Sequence, residues 1–295
     1  KKEEYMRMIF RIARKELEVL FYSPIAWLLL LCYIIQSGIS FCNTYEYFLL
    51  TVRQYGGFLY ASSFAFVRDG FDSQGLLPKI MRLLAFYIPF LTMGIIGREM
   101  TSGSIKLLYS SPVRNYQIIL GKYAALVVFA FILTGTSLIN IIYGWCTIDY
   151  FEIKWVLAGW LGTFLLACTY LAVGLFISSL TSYQLIAAIV TIMVLGLLSI
   201  VGDYGQQYAW VRDITYWLSM RGRTETFIKG MICSEDLLYF PIVSAMFLSF
   251  AIIRLKAVRQ GIPFWKTALK NVAVIALVCV AAIITSRPAC KFYYD

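Results

Sequence analysis

The chain has 295 residues, of which 60% are hydrophobic and 14% charged, with a mean hydropathy of +0.75, no histidine and a formal net charge of +10. A water-soluble domain carries about 25% charged residues, so the apolar excess has to be taken up by lipid. The missing histidine argues against zinc, haem and His-based nucleophilic chemistry, and the seven cysteines form no CxxC pair or regular framework.

The first 23 residues are predicted as an amphipathic helix. Met6, Ile9, Phe10, Ala13, Leu17, Leu20 and Phe21 fall on one face; Arg7, Arg11, Arg14, Lys15 and Glu18 fall on the other. Ser23-Pro24 ends this helix and opens the first span. The segment is too charged for a cleavable signal peptide and lacks a small-residue cleavage site. Two readings stand: a helix in the inner interface with its basic face toward anionic headgroups, or a soluble amphipathic arm.

Seven apolar runs follow, at about 24–42, 80–97, 117–143, 155–178, 185–202, 237–253 and 271–286. Each is near the length a helix needs to cross a bilayer, and the pattern suits no barrel of alternating strands. The fold class expected is an all-α polytopic membrane protein. Their interiors hold almost no ionisable groups; Arg82 and Lys122 are read as snorkelling from helix ends. A proton- or sodium-driven carrier usually keeps intramembrane acids or histidines, and no GxxxxGK[ST] or HExxH run is present. Uphill transport would therefore draw its energy from another subunit.

Charge sets the expected orientation. With a cytoplasmic N-terminus, segments 1–23, 98–123, 179–184 and 254–270 face inward and hold 15 Lys/Arg against 5 Asp/Glu; the remainder balances at 11 of each. That asymmetry is the positive-inside signature rather than a nucleic-acid surface. Seven spans then put the C-terminus outside.

Between the second and third runs lies GREMTSGSIKLLYSSPVRNYQIILGKYAA (97–125). Thr101 or Ser102 can cap a short helix there, with Ile105, Leu107 and Leu108 as its apolar face, and Ser111-Pro112 stops it. An apolar face in an aqueous loop suits a groove on a partner protein, or else lipid. Between 203 and 237, Trp210, Ile214, Trp217 and Leu218 recur at helical spacing, as do Phe227, Ile228, Met231 and Ile232. Two short helices dipping into the outer leaflet are expected, with Gly222 at the break and Gly230 inside the second.

These residues carry a family resemblance. Glu99, Gly103, Ser104, Ile105, Leu108, Ser111, Pro112, Ile119, Leu120, Gly121 and Lys122 match in register the segment of ABC-2 type exporter permeases that runs Glu-x-x-x-Gly-(Ser/Thr)-(Ile/Leu)-x-x-Leu, Ser-Pro, Ile-(Ile/Val)-Leu-Gly-Lys. LAVGLFISSLTSYQLIAAIV (171–190), RKELEVLFYSPIAWLLL (14–30) and FIKGMICSEDLLYF (227–240) resemble three further segments of the family, in the expected order. Lys106 departs from the pattern, which often has an acid there. The chain looks closest to gliding-motility and copper-site-maturation type permeases. The basic loop RLKAVRQGIPFWKTALKN (254–271) and the seventh run, ending SRPACKFYYD, look like the start of an auxiliary gliding-type subunit fused to the permease; a plain anchor helix with a short tail is the other reading.

The resemblance implies a type V exporter bundle: a connecting helix (1–23), a six-span domain (24–254), a basic linker (255–270), and a seventh span opening an extracytoplasmic region (271–295). It places a coupling helix at about 98–113 and re-entrant helices at about 203–237. ATPase coupling would fall to Arg98, Glu99, Thr101, Gly103, Ile105, Lys106, Leu107, Leu108, Ser111 and Pro112, and the connecting helix would act through Arg7, Arg11, Arg14, Lys15 and Glu16. Trp217 and Phe227 would belong to an outer gate or to a brace. Thr134 and Asn140 would line the path or hold helices together. No catalytic or metal residue is expected, with ATP and magnesium bound by a separate cytoplasmic ATPase dimer. Further partners implied are a second permease copy, lipid and an extracytoplasmic auxiliary element, with no nucleic acid, in the bacterial inner membrane. The function implied is ATP-driven export, with force relay to a periplasmic partner without transport as the alternative.

Overall fold

The computed structural model describes residues 2–55, 75–103, 113–147, 151–200, 220–260, 271, 273–274 and 291–292. The elements in chain order are α1 (Lys2–Tyr22), α2 (Pro24–Tyr55), α3 (Leu76–Thr92), α4 (Gly97–Thr101), α5 (Asn115–Thr147), α6 (Ile153–Ser178), α7 (Gln184–Ile200), α8 (Met220–Ile228), β1 (Ile232–Cys233), α9 (Ser234–Gln260) and β2 (Lys291–Phe292). Among the described residues, five helices are long and apolar enough to cross a membrane, beginning at Pro24, Leu76, Asn115, Ile153 and Ser234; the helix from Gln184 is shorter. The run at 271–286 lies almost wholly outside the described residues.

Helix α6 is the hub, packed against α3, α5, α7, α8 and α9. Its glycines explain why. A Cβ on Gly159 or Gly162 would fall 2.6 Å from Leu77 and 2.5 Å from Phe227, and one on Gly174 would collide with the Thr92 hydroxyl. Apolar packing between helices has little hydrophobic drive in lipid, so close backbone approach through small residues supplies the dispersion contact instead. Threonine and serine hydroxyls along the spans mostly return to their own helix; Thr134 Oγ1, for example, donates to Ala130 O at 2.9 Å.

The second span differs from the expected 80–97. Its helix stops at Thr92, and a turn over Met93–Ile96 separates it from α4. Pro89 sits inside α3 and donates no amide hydrogen, and the Thr92 hydroxyl donates to Ile88 O at 3.1 Å. The turn is then stitched to the end of α6: Ile96 N donates to Ser178 Oγ at 3.3 Å, and Ser178 Oγ donates to Met93 O at 3.2 Å.

At the other end of the bundle, α8 reverses the expected roles of two glycines. Gly222 lies inside the helix, whereas Gly230 follows its end with φ +76°. Left-handed backbone suits glycine, and the indole of Trp155 occupies the space a side chain there would need. Trp155 Nε1 also donates to Lys229 O. Beyond this turn β1 pairs antiparallel with β2, matching Ile232 with Phe292 and Cys233 with Lys291.

Candidate functional site

Four pieces of chain converge at one end of the bundle: α1, the α3–α4 turn, the start of α5 and the α6–α7 turn. Helix α1 lies along α5 and buries Ala13 and Leu20. Gly121 makes this approach possible, because a Cβ there would fall 2.7 Å from the Ile12 side chain and 3.1 Å from Ile9 O. Part of the apolar face predicted for α1 points away from the bundle. Met6 and Phe10 are 73% and 71% exposed, and Arg7, Arg11, Arg14 and Lys15 are exposed around them. Among the described residues, Arg14 pairs with Glu18 on its own helix, at 3.1 Å.

Next to Gly121, Lys122 does not snorkel. Only 2% of the residue is exposed. Its ammonium donates to Glu16 Oε2 of α1 at 2.9 Å, to Glu99 Oε1 of α4 at 2.8 Å, and to Ile95 O in the α3–α4 turn at 3.1 Å. Three donors meet three acceptors, the full capacity of the group. The reason is desolvation: an unpaired buried ammonium would cost several kcal/mol, roughly, so it is stable here only with its carboxylates. One side chain thus ties α1, α4 and α5 together. The junction borders a cleft of about 290 Å³ whose lining includes Ile12, Lys15, Glu16, Arg98, Glu99 and Lys122.

The start of the 98–113 segment is placed by its neighbours. Thr101 closes α4, its hydroxyl shared between Gly97 O at 2.9 Å and Ser182 O of the α6–α7 turn at 3.0 Å; the short helix expected after Thr101 or Ser102 lies outside the described residues. Gly103 follows with φ +71°, the left-handed residue that ends a helix. Arg98 is exposed and folds back to Gly94 O at 2.9 Å. Ile105, Lys106, Leu107, Leu108, Ser111 and Pro112 lie outside the described residues. At the far side of the gap, Gln117 Oε1 accepts from Arg114 N at 3.0 Å, a reciprocal cap for α5. Arg259 at the end of α9 donates to Asn115 Oδ1 at 3.0 Å.

The remaining expected residues separate from this junction. Trp217 lies outside the described residues. Phe227 is fully buried against Gly162 of α6 and 6.1 Å, centroid to centroid, from Phe240 of α9. Thr134 is enclosed between α5 and α6, its carbonyl accepting from Trp160 Nε1 at 3.0 Å. Asn140 Nδ2 donates to Ser37 Oγ of α2 at 3.2 Å. Sequence reasoning missed Arg223 and Asp236, whose 2.8 Å ion pair fastens α8 to the first turn of α9, with Thr226 Oγ1 donating to the other carboxylate oxygen at 2.6 Å. Their signal was a cation and an acid flanking the short FIKGMICSE turn.

A helical chain with several membrane-long spans, stitched at one end by a buried ammonium, is a multi-pass membrane protein. Its sequence matches the model of the ABC-2 family transporter proteins over residues 10–286. The chain belongs to that family, and is thereby a membrane component of an ABC transporter. None of the curated proteins matches it.

Proposed function

We propose that this chain is the permease subunit of an ABC-2 exporter, working as two copies in the bacterial inner membrane, with its N-terminus in the cytoplasm and its C-terminus outside. A separate cytoplasmic ATPase dimer binds ATP and magnesium, docks on the 98–113 segment, and drives substrate outward. The observation that carries this reading is the bonding of Lys122 to Glu16 and Glu99. A displacement of the docking segment would reach α1 and α5 through one charged node rather than dissipating in a loose loop, and a two-state bundle needs such an element if a partner's nucleotide is to bias it. Within the family the finer likeness is to gliding-motility and copper-site-maturation permeases, supported by the basic 254–271 loop and the apolar run after it.

A second reading is relay of ATPase motion to a periplasmic partner without transport. The pairing of β2 with β1 favours it, since it fastens Lys291 and Phe292 to the α8–α9 turn. Co-expression with the ATPase and reconstitution into vesicles separates the readings. ATP-dependent loss of lumen-loaded or leaflet-labelled substrate supports export. ATP hydrolysis that responds to the permease without any movement of a substrate panel supports relay. A permease that neither binds the ATPase nor changes its turnover would refute both.

A further inference from the structure

One arc of α2 is polar through half the bilayer. Tyr33, Gln36, Ser37, Ser40, Asn43, Thr44 and Tyr47 recur at three- and four-residue spacing and so share one face of the helix. The opposite face is apolar as far as Ile39 and turned to lipid, with Ile34, Ile35 and Ile39 about half exposed. Such a stripe is costly in hydrocarbon unless each group finds a partner.

The described residues supply several of these partners. Tyr87 of α3 donates to Gln36 Oε1 at 2.8 Å, Asn140 donates to Ser37 at 3.2 Å, and Lys79 of α3 donates to Thr44 Oγ1 at 3.0 Å. Gln36 and Asn43 remain exposed, and the Gln36 amide nitrogen bonds no described residue. The Tyr33 hydroxyl is fully buried with no hydrogen-bond partner. Lys79 is half-buried, and its described hydrogen bond goes to a neutral hydroxyl, with no carboxylate among the described residues within ion-pair distance. Arg82 stands one turn further along α3. Glu46, two residues past Thr44, falls on another face of α2.

Position adds the direction. At 1.5 Å per residue, Thr44 lies about 30 Å along α2 from Pro24, one hydrocarbon thickness from the Lys122 end. Gln36 lies near the middle. The stripe therefore runs from mid-bilayer to the boundary opposite the junction and ends on a cation.

We infer that this stripe, closed by Lys79, receives the anionic headgroup of an amphiphile in the leaflet opposite the Lys122 junction, while the acyl chain stays in lipid beside Ile35 and Ile39. The inference rests on the export reading and names its substrate class as an anionic amphiphile. An incoming phosphate or carboxylate would give Lys79 a charged acceptor, which none of the described residues supplies, and would give Gln36 and Asn43 acceptors for their amide hydrogens. A second copy laid on the stripe about a two-fold axis fits less well, because it brings Lys79 and Arg82 toward their own equivalents.

The test titrates the full chain in detergent with dihexanoyl phosphatidylglycerol or dihexanoyl phosphatidylcholine and counts bound lipid by native mass spectrometry. We expect the anionic lipid to bind at least about tenfold tighter, the scale of one charge-assisted hydrogen bond. Lys79→Gln should erase that preference and Lys79→Arg should keep it, which separates lost recognition from lost folding. Gln36→Leu should weaken both lipids several-fold. Sodium phosphate competing in the same concentration range assigns the anion site to free phosphate rather than a headgroup; no competition assigns it to the lipid. Equal binding of the two lipids by the unaltered chain overturns the inference. So does Gln36→benzoylphenylalanine if it cross-links to a second copy instead of to lipid. Co-purification of the Lys79→Gln chain with the ATPase should be unaffected, so a failure here is distinct from a failure of the permease reading.

Discussion

Lys122 Nζ and Glu99 Oε1 lie 2.8 Å apart although 23 residues separate them, and the same ammonium reaches Glu16, 106 residues away, at 2.9 Å. Removing the cation leaves two carboxylates facing each other in a largely dry pocket; the Glu16 and Glu99 side chains are 13% and 27% exposed. Breaking a buried pair costs about 3–5 kcal/mol, and the residual hydration of Glu99 lowers that here. Lys122→Met is expected to destabilise the chain by about 2–3 kcal/mol and to uncouple ATP hydrolysis from transport while the ATPase still binds. Adding Glu99→Gln should recover part of the stability, giving a non-additive cycle. Additive losses with coupling intact would dismiss the node.

Gly121 should be intolerant of any side chain. A Cβ there meets Ile12 and the Ile9 carbonyl, and backbone cannot step aside cheaply. Gly121→Val is expected to lift α1 off α5 and to speed tryptic cleavage at Arg7, Arg11 and Arg14 by about tenfold, the effect of about 1.4 kcal/mol on a local opening equilibrium. Gly196, with nothing within 4 Å of its Cβ position, is the control, and Gly196→Ala should leave the digestion pattern unchanged.

Phe227 is expected to act as an anchor for α8. It is fully buried in the Gly162 notch, so Phe227→Ala should cost about 3–5 kcal/mol. Gly230→Ala should also destabilise, since it combines a positive φ with the Trp155 indole. Both are read by thermal unfolding in detergent. A Phe227→Ala chain of unaltered stability, changed only in substrate-stimulated ATPase activity, would make the residue a gate instead.

Docking through 98–113 predicts that Leu107→Asp with Leu108→Asp abolishes co-purification with the ATPase and leaves membrane insertion intact, because both positions fall between the apolar runs of the sequence and not within one. Unchanged association would remove this segment as the docking site.

The orientation predicts the sidedness of cysteine labelling. Cysteines substituted at positions 46 and 225 should react with an impermeant reagent from outside, and those at 106 and 259 only from inside. A reversal at any one of the four refutes the topology.

Much of this architecture was readable from local pattern. The membrane class follows from composition, and the family from short motifs in order. The break between α1 and α2 was visible at Ser23-Pro24, because proline restricts the residue before it. The motif glycines were visible as letters without their reasons. Gly121 and Gly174 look alike in sequence, yet one admits Ile12 and the other Thr92. Lys122 could have been suspected from a cation set a full turn inside an apolar run, with Glu16 and Glu99 among the few acids assigned to the inner side.

The sequence by itself determined which segments are apolar enough to be helices in lipid and which family they belong to, because periodicity and motif spacing act over a few residues. Tertiary structure alone decided that Lys122 is a node and not a snorkelling cation, that Gly230 rather than Gly222 ends α8, and that the polar face of α2 meets Lys79 and Tyr87. Those facts depend on which backbones approach within van der Waals distance across as many as a hundred residues of chain. Desolvation then makes each surviving polar contact there decisive, because no water remains to replace it.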